Sequence, residues 1–235
     1  MERIAALARH RKGSNAMWFR VVPFALYMGF VALNDGIQWW LPDEAGEWLL
    51  WLYPLKIAAV GTVLMMWWER YTELREPLIR GWREVVATVA VGMGVYVLWV
   101  KMDWSWAVQG EMNAYNPFLA GETRGMVLAG IRFVGAVMIV PIMEELFWRS
   151  FLLRWLINPQ FERVPLGTFS PFSFMGTVVL FGLEHHLWAA GMMAGVAYNV
   201  VLYYTRRLWP CILAHALTNG ALGIHVMMTN EWIWW

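Results

Sequence analysis

Seven long apolar runs dominate the sequence, and each is close to the roughly 20 residues that a helix needs to cross a membrane. Hydrophobic residues make up 60% of the 235 residues and charged residues only 15%, whereas soluble domains average about 45–50% and about 25%. The runs are too long for the alternating strands of a membrane barrel, which have about 10 residues. The sequence therefore predicts an all-α fold, a polytopic bundle of about seven transmembrane helices. The predicted spans are 17–34, 48–68, 84–102, 126–153, 170–185, 187–205 and 208–228.

Basic residues are concentrated in alternate connections of this predicted bundle. They occur before the first span and after the second, fourth and sixth, while the connection at 41–47 and the tail at 230–235 contain none. By the positive-inside rule, this pattern predicts a cytoplasmic N-terminus and an external C-terminus. The formal net charge of +1 gives no indication of a nucleic-acid partner. The single cysteine, Cys211, excludes an intramolecular disulfide.

Two adjacent glutamates and an arginine interrupt the fourth apolar run. Ionisable groups at membrane depth cost about 2.5–3.5 kcal/mol each on insertion scales and usually mark function. Arg149 follows Glu145 by four residues, so we expect an ion pair on one helix face. Glu144 lies about 100° further round the helix and is the carboxylate left over for chemistry. The competing interpretation is a purely structural network of buried ions.

Two further polar clusters fall on other predicted helices. His185 and His186 close the fifth span, directly after Glu184. In the seventh span, His215 and Asn219 are four residues apart and therefore share one helix face. Convergence of these clusters on the glutamates would form a water-accessible cavity in an otherwise dry bundle. A hydrogen bond between helices is the alternative for the histidine and asparagine.

The three clusters, taken in order, resemble the signature of the CAAX-protease and bacteriocin-processing family of intramembrane proteases. The matching segments are Glu144-Glu145-Leu-Phe-Trp-Arg149, Phe181-Gly-Leu-Glu-His185 and His215-Ala-Leu-Thr-Asn219. The resemblance implies a protease-like core at 126–228, preceded at 1–125 by N-terminal membrane segments and a long outer loop, within a single membrane unit. This combination is similar to CAAX-protease-like proteins of bacterial exosortase systems, which implies a location in the bacterial plasma membrane.

The resemblance also implies a role for each motif residue. Glu144 would activate water, His185 would hold that water, and His215 and Asn219 would donate to the oxyanion, with Glu145 and Arg149 in support. The implied partners are the lipid bilayer and a membrane-associated protein or peptide substrate. A metalloprotease mechanism competes, in which a divalent metal such as zinc binds Glu144, His185 and His215, and the sequence does not separate the two. The alternative function is that of a non-catalytic immunity or scaffold protein of the same fold.

Two other charges lie inside apolar runs. Lys56 either extends to the membrane surface or faces the bundle interior. Arg132 precedes Glu144 by twelve residues, about 18 Å along a straight helix, which excludes direct contact. Glu184 and His225 are interpreted as interfacial. The loop at 103–125 either caps the outer end of the site or is an ordinary solvated loop.

One geometric difficulty follows from these assignments. If the fifth helix starts at Ser170, His185 falls near the outer end of that span, away from Glu144. The three motifs can meet only if this helix is short, displaced or preceded by irregular chain. Two prolines in the segment 164–171 could supply such an irregular entry.

Overall fold

Helices form almost all of the chain in this computed structural model, which describes residues 2–40, 48–110 and 115–234. The main helices are α1 (Glu2–Trp40), α2 (Trp48–Met66), α3 (Trp82–Trp99), α4 (Glu122–Trp155), α5 (Pro171–Leu183), α6 (Trp188–Thr205) and α7 (Leu208–Thr229). Every predicted span corresponds to one of them, and the described residues contain no strand. The prediction of an all-α membrane bundle is confirmed.

Five of these helices are long and apolar enough to cross a membrane by length and composition, namely α1 from Ala16, α2 from Leu49, α3, α4 and α7. The protein is therefore an integral membrane protein. The acidic connection at 41–47, Asn113 and the last residue of the aromatic tail lie outside the described residues, as do the side chains of the basic N-terminal segment.

Helix α4 contains two π-helical stretches, Gly135–Ile139 and Leu146–Leu152, on either side of the glutamate pair. Within the first stretch, the Val140 N–H donates to the Gly135 carbonyl. The next residue, Pro141, has no N–H to give. The carbonyl of Ala136 is therefore left without its usual helical donor and is available to a side chain from another helix.

Helix α5 is short, and this resolves the difficulty over His185. Its 13 residues extend about 20 Å, less than the roughly 30 Å of a bilayer core. An irregular connection precedes it, containing a 3₁₀ turn at Phe161–Arg163 and a left-handed Gly167 with φ of 75°. The end of α5 lies beside α7, where the ring centroids of Phe181 and His215 are 6.4 Å apart.

Glycines allow the core helices to approach closely. A Cβ added at Gly191 of α6 would lie 3.0 Å from the Cα of Gly182 on α5 and 3.1 Å from Nδ1 of His185. A Cβ at Gly92 of α3 would lie 2.7 Å from the carbonyl oxygen of Ala214 on α7. Small residues at such contacts are typical of membrane helix pairs. The second contact joins an N-terminal helix directly to the core that carries the motifs.

One end of the bundle, called here the charged end, is held by a buried polar network of Arg20, Glu73, Ser150 and Arg154. Arg20 forms an ion pair with Glu73 at 2.7 Å, and Arg154 forms a second at 3.1 Å. Ser150 donates to the same carboxylate. Burial acts to raise the pKa of Glu73, but the Arg20 guanidinium and the Ser150 hydroxyl outweigh it and hold that pKa below its usual value. The network connects α1 and α4 through the turn that follows α2.

The opposite end, called here the loop end, is covered by the connection after α3 and by the C-terminal turn Trp232–Trp234. Gln109 donates to the carbonyls of Leu183 and His185, at 2.7 and 2.8 Å. The rings of Phe118 and Trp232 are in contact, with centroids 5.6 Å apart. The loop is therefore anchored to the end of α5 through Gln109, which favours the capping interpretation over that of an ordinary solvated loop.

Candidate active site

A cavity of about 190 Å³ lies between the helices. Four of the residues that line it are Glu144, His185, His215 and Asn219, which come from α4, the end of α5, and α7. The rest of its wall consists of Tyr27, Tyr53, Trp99, Arg132, Ala136, Val140, Phe181, Ala194, Tyr198, Thr218, Leu222 and Trp234. The fold thus brings together the polar residues of all three sequence motifs.

Glu145 is fully buried and accepts hydrogen bonds from two side chains. Its Oε1 accepts from Nη1 of Arg149 at 3.0 Å and from Nδ1 of His215 at 3.0 Å. The expected ion pair on one face of α4 is therefore present, and it extends to α7. Because the carboxylate accepts from Nδ1, the other ring nitrogen of His215, Nε2, remains for the cavity.

The guanidinium of Arg149 is held on every side. It donates to Oδ1 of Asn199 at 3.2 Å and to the Gly195 carbonyl at 3.4 Å, both on α6. It also lies 4.4 Å from the centroid of the Phe181 ring. These contacts make Arg149 a structural cation whose charge is already compensated by Glu145.

Glu144 differs from its neighbour in having no such partner. Both glutamates are buried and have an Oε2 without a hydrogen-bond partner among the described residues, but Glu145 accepts two bonds at Oε1, whereas Glu144 lines the cavity. Buried polar atoms are usually satisfied, so an unpartnered carboxylate oxygen in a cavity requires an explanation. A water or substrate group that binds there is the simplest one.

The orientation of His185 is fixed by a backbone contact at the end of α5. Its Nδ1 lies 2.7 Å from the carbonyl oxygen of Phe181. A carbonyl only accepts, so Nδ1 carries the proton, and Nε2 of the neutral ring is left as an acceptor. The Trp99 ring stands edge-on to the imidazole at 5.3 Å. His185 can therefore accept a proton or a hydrogen bond from water.

Asn219 is oriented by the carbonyl that the π-helical stretch releases. Its Nδ2 donates to the Ala136 carbonyl at 2.8 Å. An amide group has two N–H donors, so one remains for a ligand in the cavity. The irregularity in α4 and the asparagine of α7 thus form one unit.

Sequence reasoning missed the contribution of α6. The ring of Tyr198 stacks on His215, with centroids 5.0 Å apart and planes at 18°, and its hydroxyl donates to Thr218 at 2.9 Å. Asn199 connects Arg149 to Thr177. Polar side chains at consecutive positions of an apolar helix were the available signal.

The remaining candidates lie outside the centre of the site. Glu184 is half-buried and accepts a hydrogen bond from Nε1 of Trp148 at 3.0 Å. His186 is exposed and contacts the loop at Gln109. His225 contacts Tyr96 at 3.0 Å. Its interaction and that of Glu184 are specific contacts that the interfacial interpretation did not predict.

The metal hypothesis does not fit this arrangement. In the described part of the chain, no group of three histidine, cysteine or acidic side chains is spaced to hold a metal ion. Glu144, His185 and His215 line the cavity from separate helices without the mutual spacing of a metal-ligand set. We therefore derive no step through a metal.

Comparison with known proteins gives one match. Residues 127–221 match the family model described as "Type II CAAX prenyl endopeptidase Rce1-like". The matched segment includes all three motifs and ends within α7. No curated protein and no solved structure matches the chain. The match does not bear on the exosortase-associated branch, which stays a prediction.

Proposed function

We propose that the protein is an intramembrane endopeptidase of the CAAX-protease type, on the basis of the match of residues 127–221 to that family model. Its substrate is a membrane-associated protein or peptide, in which it hydrolyses one peptide bond. The observation that carries the proposal is the unpartnered carboxylate oxygen of Glu144, in a cavity shared with His185, His215 and Asn219.

Glu144 acts as the general base. A carboxylate withdrawn from solvent is a stronger base than one in water. It removes a proton from a water molecule as the water oxygen attacks the carbonyl carbon of the scissile bond. The acceptor nitrogen of His185 holds the same water through the second proton of that water. This role is supported by the bond of His185 Nδ1 to the Phe181 carbonyl, which leaves Nε2 as the acceptor.

The developing oxyanion is stabilised from α7. Asn219 supplies its second amide N–H, since the first is used by the Ala136 carbonyl. His215 supplies Nε2–H as an imidazolium, whose Nδ1–H donates to the Glu145 carboxylate. One such oxyanion donor typically contributes about 10²–10³ in kcat.

Collapse of the tetrahedral intermediate completes the reaction. The carbon–nitrogen bond breaks as the oxyanion re-forms a carbonyl. The leaving amine takes the proton that Glu144 accepted from water, and the new carboxyl group carries the water oxygen. Glu144 returns to its carboxylate form for the next cycle.

We further propose that the N-terminus faces the cytoplasm, as in the sequence-based prediction. Support comes from arginines at the charged end, where Arg20 and Arg154 lie. This orientation can be tested in a bacterial host by attaching alkaline phosphatase or a fluorescent protein to the N-terminus or within each connection.

The proposal is tested by purified protein in proteoliposomes. The substrates are a proteome-derived peptide library and a prenylated peptide with a CAAX carboxyl terminus, and mass spectrometry identifies the products. Glu144→Gln should lower the cleavage rate by about 10²–10⁴, the usual contribution of a general base. The matched control is Glu162→Gln, which neutralises an exposed glutamate of the charged end.

Unchanged cleavage in a folded Glu144→Gln variant would overturn this assignment. The alternative of a non-catalytic immunity or scaffold protein makes the opposite prediction. In that case the Glu144→Ala, His185→Ala and His215→Ala variants would keep their biological function in cells, and no product would form with the wild type.

A further inference from the structure

One glutamine of the long loop binds the piece of chain that carries His185. Gln109 belongs to the connection between α3 and α4 and lies outside the family match at residues 127–221. It takes no part in the proposed hydrolysis. We infer that Gln109 is a positioning residue, which holds the backbone of His185 and thereby its imidazole in place. This inference rests on the proposed endopeptidase function.

The need for such a residue follows from the position of His185 in the chain. Helix α5 ends at Leu183 and α6 starts at Trp188, so His185 lies in a short non-helical segment, 184–187. Carbonyls at and just after a helix end have no donor within the helix. Inside a membrane an unsatisfied carbonyl is strongly unfavourable. The segment therefore depends on donors from another part of the chain.

Gln109 supplies three donors to this end of α5. Its Nε2 donates to the carbonyl of Leu183 at 2.7 Å and to that of His185 at 2.8 Å. Its backbone N–H donates to the carbonyl of His186 at 2.8 Å. A side-chain amide has two N–H groups, so both are used, one on each carbonyl.

A fourth contact between the same two segments runs in the opposite direction. Nδ1 of His186 lies 3.1 Å from the carbonyl oxygen of Gln109. A carbonyl only accepts, so the histidine is the donor. The adjacent histidines therefore differ in function, because His186 binds the loop whereas His185 lines the cavity.

The loop is itself fixed to the bundle and can serve as a support. Ala107, two residues before Gln109, is fully buried. The Trp106 ring contacts the ring of Trp188 at the start of α6, with centroids 5.7 Å apart. The loop is thus held both at α6 and at the segment 184–187, and it carries the Gln109 amide to a defined position beside His185.

The position of the imidazole depends on that of its backbone. Nδ1 of His185 lies 2.7 Å from the carbonyl oxygen of Phe181, and its backbone N–H donates to the carbonyl of Gly182 at 3.0 Å. Both contacts join His185 to α5, whereas Gln109 joins it to the loop. Misplacement of a reacting group by about 1 Å can lower a rate about 10²-fold. Loss of the attachment to the loop should therefore appear in kcat.

The first test measures kcat and KM in proteoliposomes with the best-cleaved peptide from the library. Gln109→Leu removes both side-chain donors, and we expect kcat to fall by about 10–100-fold with KM little changed. Gln109→Asn keeps the amide on a shorter stem and should lose less. Gln160→Leu is the matched control, since Gln160 is an exposed glutamine of another connection. It should cleave like the wild type.

A double-mutant cycle separates positioning from a general effect on the fold. The imidazole is absent in His185→Gln, so adding Gln109→Leu should change the residual kcat by no more than about 2-fold, the usual scatter of independent changes. A substitution that only weakens the fold would lower kcat equally in both backgrounds. That result would overturn the inference.

The second test observes His185 directly by NMR of the protein in detergent micelles, with the histidine rings labelled with ¹⁵N. The chain has five histidines, and His185→Gln identifies the signals of interest. These signals should shift in Gln109→Leu and stay unchanged in Gln160→Leu.

The outcomes distinguish this inference from the proposed function. If the wild type cleaves peptides, an unchanged kcat or unchanged His185 signals in Gln109→Leu would overturn the role of Gln109 alone. If the wild type cleaves none, the proposed function fails, and the NMR comparison decides whether Gln109 positions His185.

Discussion

Glutamine replacements at Glu144 and Glu145 should separate chemistry from stability at adjacent positions. Both changes preserve the size of the side chain and remove one negative charge. Glu144→Gln removes a carboxylate whose Oε2 has no described partner, whereas Glu145→Gln removes the common acceptor of Arg149 and His215. The first should lower the cleavage rate by about 10²–10⁴ with the fold intact, and the second should weaken the fold.

The contacts set the size of the difference. The Glu145 carboxylate accepts two hydrogen bonds, from Arg149 and His215, both at 3.0 Å, and a hydrogen bond to a charged group is worth about 1.5–3 kcal/mol. Removal of one partner from a buried ion pair costs about 3–5 kcal/mol, because the other charge stays buried. Glu145→Gln should therefore lower the free energy of unfolding by about 3–5 kcal/mol. Glu144→Gln should lower the free energy of unfolding by at most about 1 kcal/mol, and an increase is also consistent with removal of a buried, unpaired carboxylate.

The assay is reversible unfolding in mixed detergent micelles, followed by circular dichroism as the fraction of dodecyl sulfate increases. The 18 tryptophans provide a second, fluorescence-based signal. A leucine at position 145 should destabilise the protein as well. The double variant Glu145→Leu/Arg149→Met should recover most of the stability that Glu145→Leu loses, since apolar replacement of both partners of a buried pair is often neutral.

Equal destabilisation by the two glutamine variants would refute this division of roles, since it would mean that Glu144 also has a structural partner. Near-wild-type stability of Glu145→Gln would refute it as well, because the buried pair would then contribute nothing. Cleavage assays on the same preparations complete the comparison.

Three further predictions concern the supports of the site. Gly191→Ala should lower kcat/KM by about 10-fold or more with normal circular dichroism, because the new Cβ would displace His185; full activity would contradict it. Asn219→Ala should lower kcat by about 10²–10³ in steady-state assays with KM little changed, and a pure KM effect would count against an oxyanion role. Since the pKa of Glu73 lies below its usual value, its stabilisation is present above about pH 4.3 and is lost as the pH falls through the folded-state pKa. Unfolding measured at low pH should show this loss in the wild type but not in Glu73→Gln, and parallel pH curves would disprove it.

The helices and the three motif clusters could be predicted because both are local patterns. Long apolar runs define membrane helices, and charges within them are rare enough to stand out. The Glu145–Arg149 pair followed from a spacing of four residues on one helix. The contact of His215 with Glu145 did not follow, because it joins positions that are 70 residues apart.

Irregular backbone was the part that the sequence did not reveal. The apolar pattern of α4 does not indicate its two π-helical stretches. Pro141 is the one residue that points to an irregularity, next to the first stretch. The orientation of Asn219 depends on that irregularity, so its bond to Ala136 could not be foreseen. The network around Glu73 was missed for another reason, since Arg20 is 53 residues from Glu73 and 130 from Ser150 in the sequence, and each charge of the network resembles an ordinary loop or interfacial charge.

The buried position of Arg20 has a consequence for anyone who would shorten this protein. Its guanidinium donates to Glu73 and Ser150 from a helix that lies outside the family match. An excised fragment that begins at α4 would leave Ser150 and Arg154 facing lipid or solvent without this carboxylate. The same fragment would lose the seam between Gly92 and Ala214. The segment that matches the family model therefore cannot be moved on its own, and transplanting its motifs into another bundle requires α1, the turn that carries Glu73 and α3 to be moved with them.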